Sequence, residues 1–432
     1  MASWAQLLNR KRLRDGAPAE SGDEGNDFLS DYYRVVFSSS FRRLQDKTQV
    51  SPLAATDFVR RRLTHSVEVA VVGERMGRVV AKKLAGEIGV EDSVESFGRI
   101  VASACLLHDI GNPPFGHEGE LAIRRWADKV GAPADQRCFD GNAQGFRIAT
   151  RLQHHGKPYG LNLTTACLAA TLKYPSTPSL SNIPEDGSLR NRGKWSVMSS
   201  ERPAYEAVAE SVGLEVGQRH PLSYLVEAAD DIVNRLVDIE DAIKLKLVSY
   251  EEMRGVLENE GGSKSKELLR EMDLRLSACA GSSQSEKELR AYQHFRVHAT
   301  TAFAKACENE FISRIDALCS GKQTGELIKE SSLAGLYAAI KKLEDSKIFG
   351  DPAIVRVEAG GKKAIEGLLD AFHDEVRLGS KLGATVPEPL MWEGSFSEDS
   401  EASNIRRVVD YVSGMTDRYA VDLYQKLSGV SL

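Results

Sequence analysis

The chain has 432 residues, of which 42% are hydrophobic and 27% are charged, values that are typical of a globular protein. Its formal net charge of −6 excludes a global attraction to nucleic acid, so binding of anions would need a local pocket of cationic side chains. No apolar run of about 18 residues occurs, and the first residues lack the apolar stretch of a signal peptide. We therefore expect no membrane contact and a cytoplasmic location.

The cysteines show neither a CxxC pair nor another spacing that is typical of metal ligands. Several lie within apolar helical patterns, which favours buried free thiols and a reducing compartment. The residues concerned are Cys105, Cys138, Cys167, Cys279, Cys307 and Cys319.

The first part of the chain predicts a mobile segment followed by a long helix. Residues 1–27 pass from a short amphipathic stretch into the Gly/acidic sequence GAPAESGDEGND, which is typical of a mobile tether. Apolar residues from Val67 to Val80 recur mainly every three or four positions, which predicts an amphipathic helix that contains His65. Arg62 precedes His65 by about one turn and shares its side of the helix.

The second predicted helix, Ile100 to Leu107, leads directly into His108 and Asp109. The sequence GNPP that follows must end this helix, because proline cannot continue it. Another helix is predicted from about Gly119 to Val130. Adjacent elements thus deliver several chemically competent side chains to one place.

A long irregular loop and a strongly apolar helix come next. The stretch from Tyr174 to Pro203 is rich in Ser, Pro, Asn and Gly, and a loop of this length is usually functional or disordered. Helical periodicity returns from Leu222 to Leu247, with Asp230 at the border of the apolar face and Asp238 further along the same stripe. A carboxylate at the edge of a core is costly unless it is paired or binds a metal.

The remaining sequence predicts more helices. A charged helical pattern covers 250–290, helices follow over 291–345, and a further pattern over 352–381 could be interrupted by short strands around Ile354 to Lys363. The last helix is predicted from Asn404 to Leu427. The fold class is mainly α.

His65, His108, Asp109 and Asp230 form a candidate set of metal ligands. Two neutral imidazoles and two carboxylates suit a divalent first-row ion, whose charge the carboxylates cancel. On a six-coordinate ion, four protein ligands leave positions for water and a phosphate oxygen. Each residue alone has a simpler explanation, such as a core histidine, a chance His-Asp dipeptide or a solvated acidic pair. Their joint occurrence in helical frames favours one mononuclear site.

His117 and Glu120 are candidates for acid–base catalysis, and Arg62, Lys173 and Lys194 are candidates for phosphate binding. A Glu three residues after a His shares its helical face, raises the pKa of the imidazole and orients the ring. The alternative for this pair is a favourable placement of Glu at a helix start. A cation in a long loop could close over a polyphosphate, although most lysines are simply solvated.

These fragments resemble the HD-domain deoxynucleoside triphosphate triphosphohydrolases, specifically the bacterial dGTPase-like branch. The matching fragments keep the family order from about residue 28 to the C-terminus: FRRLQDKTQV, RRLTHSVEVA, LLHDIGNPPFGHEGE, FDGNAQGFRI, LNLTTACLAATLKY, PLSYLVEAADDI with DIEDAI, and DYVSGMTDRYAVDLY. The resemblance implies an HD-domain helical fold with additional C-terminal helices. It also implies hydrolysis of a dNTP, dGTP by default, to a deoxynucleoside and intact triphosphate.

We accordingly divide the chain into three parts. Residues 1–27 are the mobile N-terminal segment, and 28–250 are the HD catalytic domain. Residues 251–432 are a helical C-terminal region that completes the fold and supplies oligomer contacts.

The resemblance further implies roles for individual residues. The four candidate ligands match the metal ligands of the family, so one divalent ion per active site, Mg or Mn, is expected. His117 and Glu120 match the catalytic pair near the α-phosphate, and Gln49 and Asp238 match the residues that read the sugar 3′-hydroxyl. The remaining matches are phosphate-contact positions at Arg62, Lys173 and Lys194, and a cavity-lining motif that contains Asn142 and Gln144.

Two residues depart from the family pattern. Asn234 stands where relatives often carry a tyrosine, and Asp140 replaces a glutamate in the usual FEGNAQ fragment. Both changes bear on base preference more than on the type of reaction.

The resemblance also implies a homo-oligomer, with single-stranded DNA or a second dNTP as candidate effectors. One alternative is another HD phosphohydrolase, which would act on nucleoside monophosphates or cyclic phosphodiesters. Lys173, Lys194 and the long loop favour a polyphosphate over these smaller anions. A second alternative is a nucleotide-sensing or nucleic-acid-binding protein without turnover, and the pairing of His117 with Glu120 argues against it.

Overall fold

The computed structural model describes residues 2–13, 27–49, 60–153, 160–178, 194–278, 283–322, 325–348, 351–378 and 401–430. Within these ranges the regular structure is helical, and the bridges between extended segments are the isolated pairs Arg12–Thr164 and Thr48–Arg61. The predicted mainly α fold class is confirmed. No helix in the described part of the chain is both long and apolar enough to cross a lipid bilayer.

The described helices are numbered here in chain order. Those of the first half are α1 (Trp4–Leu7), α2 (Asp27–Val36), α3 (Ser39–Arg43), α4 (Arg62–Lys83), α5 (Ala85–Ile88), α6 (Ser93–Leu107), α7 (Gly116–Lys129), α8 (Gly141–Arg147), α9 (Thr165–Thr171), α10 (Arg202–Ser211) and α11 (Pro221–Lys244). Those of the second half are α12 (Tyr250–Glu260), α13 (Gly262–Ala278), α14 (Gln284–Ser313), α15 (Ile315–Cys319), α16 (Leu327–Glu330), α17 (Ala334–Lys347), α18 (Pro352–Leu378), α19 (Glu401–Ser413) and α20 (Asp417–Leu427).

Two glycines allow α4 and α6 to pack closely as antiparallel neighbours. A Cβ at Gly77 would lie 2.9 Å from the carbonyl oxygen of Phe97, and a Cβ at Gly73 would lie 2.6 Å from Sγ of Cys105. Contacts thus move backwards along α6 as they move forwards along α4. The histidine in the first turn of α4 is therefore beside the histidine that follows α6.

The main hydrophobic core joins α4, α6, α9, α11 and α14. Val69, Val101, Leu168, Leu225 and Phe303 represent these five helices within it. Because α11 is buried along most of its length, its polar side chains can face only the few openings that the packing leaves.

A second hydrophobic core surrounds α7. Ile123 and Trp126 of α7 pack there with Leu368 and Phe372 of α18 and with Val412 of α19. Helices from the C-terminal region therefore support an element of the HD motif directly.

The N-terminal segment is described only in part. Leu7 is fully buried, and Nε2 of His220 lies 3.0 Å from its carbonyl oxygen. Arg12 pairs with Asp31 at 2.6 Å. The Gly/acidic part of the predicted mobile segment, 14–26, lies outside the described residues.

The predicted irregular loop from Tyr174 to Pro203 is also described in part, because 179–193 lie outside the described residues. Its two ends run side by side, with the amide of Ser196 donating to the Tyr174 carbonyl at 2.7 Å. Trp195 is fully buried and donates from its indole N–H to the Cys138 carbonyl at 2.8 Å. This anchoring fixes the backbone immediately after Lys194.

Two details of the C-terminal prediction are wrong. The stretch 354–363 is part of the continuous helix α18 and contains no strand, with Ile354 buried in the main core and Val357 packed against the second core. The predicted final helix from Asn404 to Leu427 is two helices, because Thr416 caps the start of α20 by accepting from the Tyr419 amide. The prediction of buried free thiols is confirmed for the five described cysteines, and Cys279 lies outside them.

Replacement of Gly77 by Ala should destabilise the protein. The added methyl group meets backbone atoms of α6, so the two helices must separate, at a cost of about 1–3 kcal/mol in the free energy of unfolding. Gly86→Ala is the matched control, because no atom lies within 4 Å of its Cβ position, and it should change the free energy by less than about 1 kcal/mol. Equal stability of the two variants in urea unfolding would contradict this account of the α4–α6 contact.

Candidate functional site

Two imidazoles meet where α4 begins and α6 ends. The rings of His65 and His108 are 5.3 Å apart between centroids and nearly perpendicular, at 68°. The Nδ1–H of His108 donates to the Cys105 carbonyl at 2.6 Å, which fixes the tautomer and leaves Nε2 facing the opening. His65 is fully buried beneath the surface of this opening.

Two carboxylates complete the group. Oδ1 of Asp230, on α11, lies 3.1 Å from Nε2 of His65 and 3.4 Å from Nε2 of His108. Asp109 follows His108 directly, and its Oδ1 lies 3.5 Å from the same Nε2. Ligand atoms of His65, His108 and Asp109 all lie within 4.8 Å of one another.

The geometry and charge of this group fit a divalent metal ion. Metal–ligand bonds of about 2.1 Å place neighbouring donor atoms about 3 Å apart, which is close to the separations among these side chains. Burial by itself would raise the pKa of Asp109, but Arg62 and the two histidines lower it to about 2. The pKa of Asp230 is also well below its usual range, since the histidines outweigh the effect of burial. Two ionised carboxylates and two imidazoles are a suitable donor set for a first-row ion.

Arg62 supports this group from the first turn of α4. Its Nη1 donates to Oδ2 of Asp109 at 2.7 Å, so the guanidinium holds the carboxylate that faces the histidines. The side-chain amide of Asn112 donates to Oδ1 of the same residue. Arg62 thus lies beside the candidate metal site and also lines the adjacent cavity.

His117 and Glu120 lie opposite, in the first two turns of α7. Nδ1 of His117 lies 3.3 Å from Oε2 of Glu120, and the His117 side chain is 80% exposed while that of Glu120 is buried. Oε1 of Glu120 accepts from the Gly141 amide at 2.7 Å. Burial would raise the pKa of Glu120, but the hydrogen bond from His117 and the charge of Lys194 lower it to about 2. An ionised, anchored carboxylate therefore orients an accessible imidazole.

A cavity of about 310 Å³ joins these two groups. The predicted site residues that line it are Gln49, Arg62, His108, Asp109, His117, Glu120, Asn142, Lys173, Lys194, Asp230 and Asp238. Gln144 does not line it. Gln144 lies two residues after Asn142 on α8, so its side chain points away from the cavity. It donates to Asp410 at 3.0 Å.

The side chains along α11 give the cavity two chemically different ends. Toward the start of the helix, Glu227 pairs with Lys173 at 3.2 Å and with Arg219 at 2.8 Å. Burial would lower the pKa of Lys173, but Glu227 raises it, so the ammonium remains charged. Since Asp230 follows Glu227, this cationic end is next to the candidate metal site.

Beyond Asp230 the cavity is polar. Asn234 donates to Oδ1 of Asp230 at 2.7 Å and accepts from Nε2 of Gln49 at 2.7 Å. Oε1 of Gln49 and Oδ1 of Asp238 are buried and have no hydrogen-bond partner among the described residues. Two acceptors without a donor suit a ligand that brings hydroxyl groups.

Several residues that line the cavity were not predicted from the sequence. Ser223 and Glu227 continue the Asp230 stripe backwards along α11, so helical spacing could have indicated them. Arg235 also lines the cavity, but its place depends on an ion pair with Glu344 of α17. A contact between residues so far apart in the sequence leaves no recognisable pattern in the residues around either one.

Two family models and several full-length relatives match most of this chain. A model of the HD domain matches residues 62–244, and a model of the phosphohydrolase-associated domain matches 330–426. A deoxyguanosinetriphosphate triphosphohydrolase-like protein of Synechocystis is 36% identical, over 99% of this chain and 100% of that protein. One of the same name from Pseudomonas aeruginosa is 34% identical over 99% of both. The deoxyguanosinetriphosphate triphosphohydrolase of Klebsiella pneumoniae is 29% identical, over 98% of this chain and 97% of that protein.

Metal binding should strengthen as the pH rises. Burial lowers the pKa of His108, but Asp109 and Asp230 outweigh it and raise the pKa to about 9 in the metal-free protein. Below this pH a cation must displace the proton on His108, so its affinity should rise about tenfold per pH unit and level off above about pH 9. Titration of the metal-free protein with Mn²⁺ from about pH 6 to pH 8 measures this slope. An affinity that does not change over this range would contradict the assignment.

Proposed function

Because the chain belongs to the deoxyguanosinetriphosphate triphosphohydrolase-like family of HD-domain proteins, we propose that it hydrolyses a deoxynucleoside triphosphate to a deoxynucleoside and inorganic triphosphate. Family membership and the His-His-Asp cluster support the coarser statement that it is a metal-dependent phosphohydrolase. We propose dGTP as the preferred substrate, as the name of the Klebsiella relative suggests. The observation that carries the proposal is a single cavity that joins the ligand group, the His117–Glu120 pair and the cationic side chains of Arg62, Lys173 and Lys194.

His65, His108, Asp109 and Asp230 would hold one divalent ion, for which we propose Mg or Mn. Bound there, such an ion supplies Lewis-acid activation of the α-phosphate and of the attacking water. Arg62 keeps Asp109 ionised and oriented for this role.

The cations that line the cavity suit the triphosphate. Lys173, Lys194 and Arg62 all line it and would neutralise the phosphate oxygens. Lys194 follows the part of the loop that lies outside the described residues, and buried Trp195 anchors it on the other side.

His117 is placed to handle the proton of the reaction. Water attacks the α-phosphorus, the bond from that phosphorus to the 5′-oxygen breaks, and the leaving oxygen takes up a proton. We assign the delivery of this proton to His117, whose exposed ring is oriented by Glu120. The products are then a deoxynucleoside and intact triphosphate.

The polar end of the cavity suits the sugar. The acceptors of Gln49 and Asp238, which have no partner in the described part of the chain, could accept from the 3′-hydroxyl, and Asn142 also lines the cavity. Asn234 holds the amide of Gln49 in place.

A homo-oligomer, activation by single-stranded DNA or a second dNTP, and a cytoplasmic location stay predictions. The C-terminal helices α12 to α20 offer surface for such contacts. The division at residues 27 and 250 stays a proposal as well.

The decisive assay offers each of the four dNTPs to the purified protein with Mg²⁺ or Mn²⁺ and identifies the inorganic product. We expect triphosphate, released fastest from dGTP. Release of single phosphates would instead favour another class of HD phosphohydrolase.

His117→Ala should lower turnover by at least about a hundredfold, because proton transfer by a positioned group contributes that much, while metal binding is retained. Arg125→Ala is the matched control, since Arg125 lies on the outer face of α7, where it pairs with Glu366 at 3.1 Å. Steady-state rates and metal content should be measured for both variants. Unchanged turnover in His117→Ala would remove this residue from the mechanism.

A further inference from the structure

The carboxylate of Asp417 joins two walls of the cavity from outside it. Asp417 is the first residue of α20 and is fully buried. Its Oδ1 accepts from the Phe115 amide at 3.0 Å, and its Oδ2 accepts from the Thr48 amide at 3.0 Å and from the Thr48 hydroxyl. Neither segment is near Asp417 in sequence.

The first of these segments sets the start of α7. Phe115 precedes α7 in a left-handed conformation, with φ of 61°, and its own side chain does not cap this helix. A left-handed conformation is costly for a bulky residue and persists only where its surroundings hold it. The bond to Asp417 is one such restraint, and the ring of Phe115 also packs against Gly361 of α18, where a Cβ would lie 2.5 Å from it. The turn so fixed leads directly into His117 and Glu120.

The second segment carries the substrate-reading glutamine. Thr48 immediately precedes Gln49, so the position of its backbone determines where the Gln49 side chain enters the cavity. The neighbouring Lys47 is buried and also connects this segment to the turn before α7 and to the C-terminal helices. Its Nζ donates to the Asn112 carbonyl and, at 3.0 Å, to the Ser413 carbonyl at the end of α19. Three distant parts of the chain therefore meet at 47–48, 112–115 and 413–417.

The chemistry of this junction requires a carboxylate. Asp417 receives three donors on two oxygens, and a carboxylate can only accept. An amide of the same shape would turn an N–H group toward at least one of these donors. The three hydrogen bonds compensate for the burial of the Asp417 side chain.

We propose that Asp417 is a positioning residue for the reaction. It fixes the His117–Glu120 pair and Gln49 relative to each other across the cavity, so the C-terminal helix α20 is part of the catalytic apparatus. This inference rests on the proposed function for the roles of those three residues. The sequence fragment MTDRYA, which carries no residue of the cavity, thereby acquires a role.

Asp417→Asn tests the proposal in the full-length protein. We expect a fall of about ten- to a hundredfold in kcat, because a small displacement of a catalytic group has effects of this size, with metal content retained. Glu308→Gln is the matched control. Glu308 is equally buried and paired, with Arg75 at 3.0 Å, but lies outside the cavity lining, so its loss should affect stability and leave kcat unchanged.

Variants of Thr48 test the contact between Asp417 and the Gln49 segment separately from the contact between Asp417 and Phe115. Thr48→Val removes the hydroxyl that binds Asp417 and should raise KM for the dNTP more than it lowers kcat, since Gln49 is the neighbour that moves. Thr48→Ser keeps the hydroxyl and should restore KM. This pair of variants keeps the proposal testable even where Asp417→Asn does not fold.

Hydrogen exchange of the backbone amides of Asn112, 115–120 and 47–49 provides a readout that needs no activity. Faster exchange there in Asp417→Asn, with α4 unchanged, is expected even if the wild-type protein cleaves some other phosphate ester. Unchanged kcat in folded Asp417→Asn, or equal KM in the two Thr48 variants, would overturn the proposal, while wild-type release of triphosphate would leave the proposed function intact.

Discussion

The main physical constraint on this structure is that two carboxylates and two imidazoles lie together below the protein surface, where the free-energy cost of their burial must be offset. Removing an ion from water costs several kcal/mol even after relaxation, and Asp109 and Asp230 are both largely buried. In the metal-free protein, the charge on His108 and the guanidinium of Arg62 offset this cost. A divalent ion would do so more completely, because it binds both carboxylates and both imidazoles at once.

Each of the two hydrophobic cores supports a different group of site residues. Helices α4, α6 and α11 belong to the main core, and they carry the candidate metal ligands. Helix α7 belongs to the second core, together with α18 and α19, and it carries His117 and Glu120. The cavity lies where the two cores meet, so its geometry depends on contacts that connect them. Asp417 and Lys47 are such contacts, and both are buried.

Local patterns in the sequence were sufficient for much of this arrangement. The helix that carries His65 and the stripe from Asp230 to Asp238 follow from apolar periodicity, and both are present. The break after Asp109 follows from its glycine and prolines. Convergence of the four candidate ligands could be expected only from their joint occurrence and from the family resemblance.

Contacts between distant residues had no such local signal. The place of Arg235 depends on Glu344, and that of Gln144 depends on Asp410, so neither could be read from neighbouring residues. The continuous helix α18 stands where short strands were predicted, because the burial of Ile354, Ile365 and Leu368 on this helix outweighs the strand preference of β-branched residues.

The most direct test of the central claim is a crystal structure with Mn²⁺, in which anomalous scattering locates the ion. The account predicts one strong peak in the cavity, at about 2.1–2.3 Å from Nε2 of both histidines and from an oxygen of Asp109 and of Asp230. A peak that leaves Asp230 uncoordinated, or a cavity without bound Mn²⁺, would contradict it.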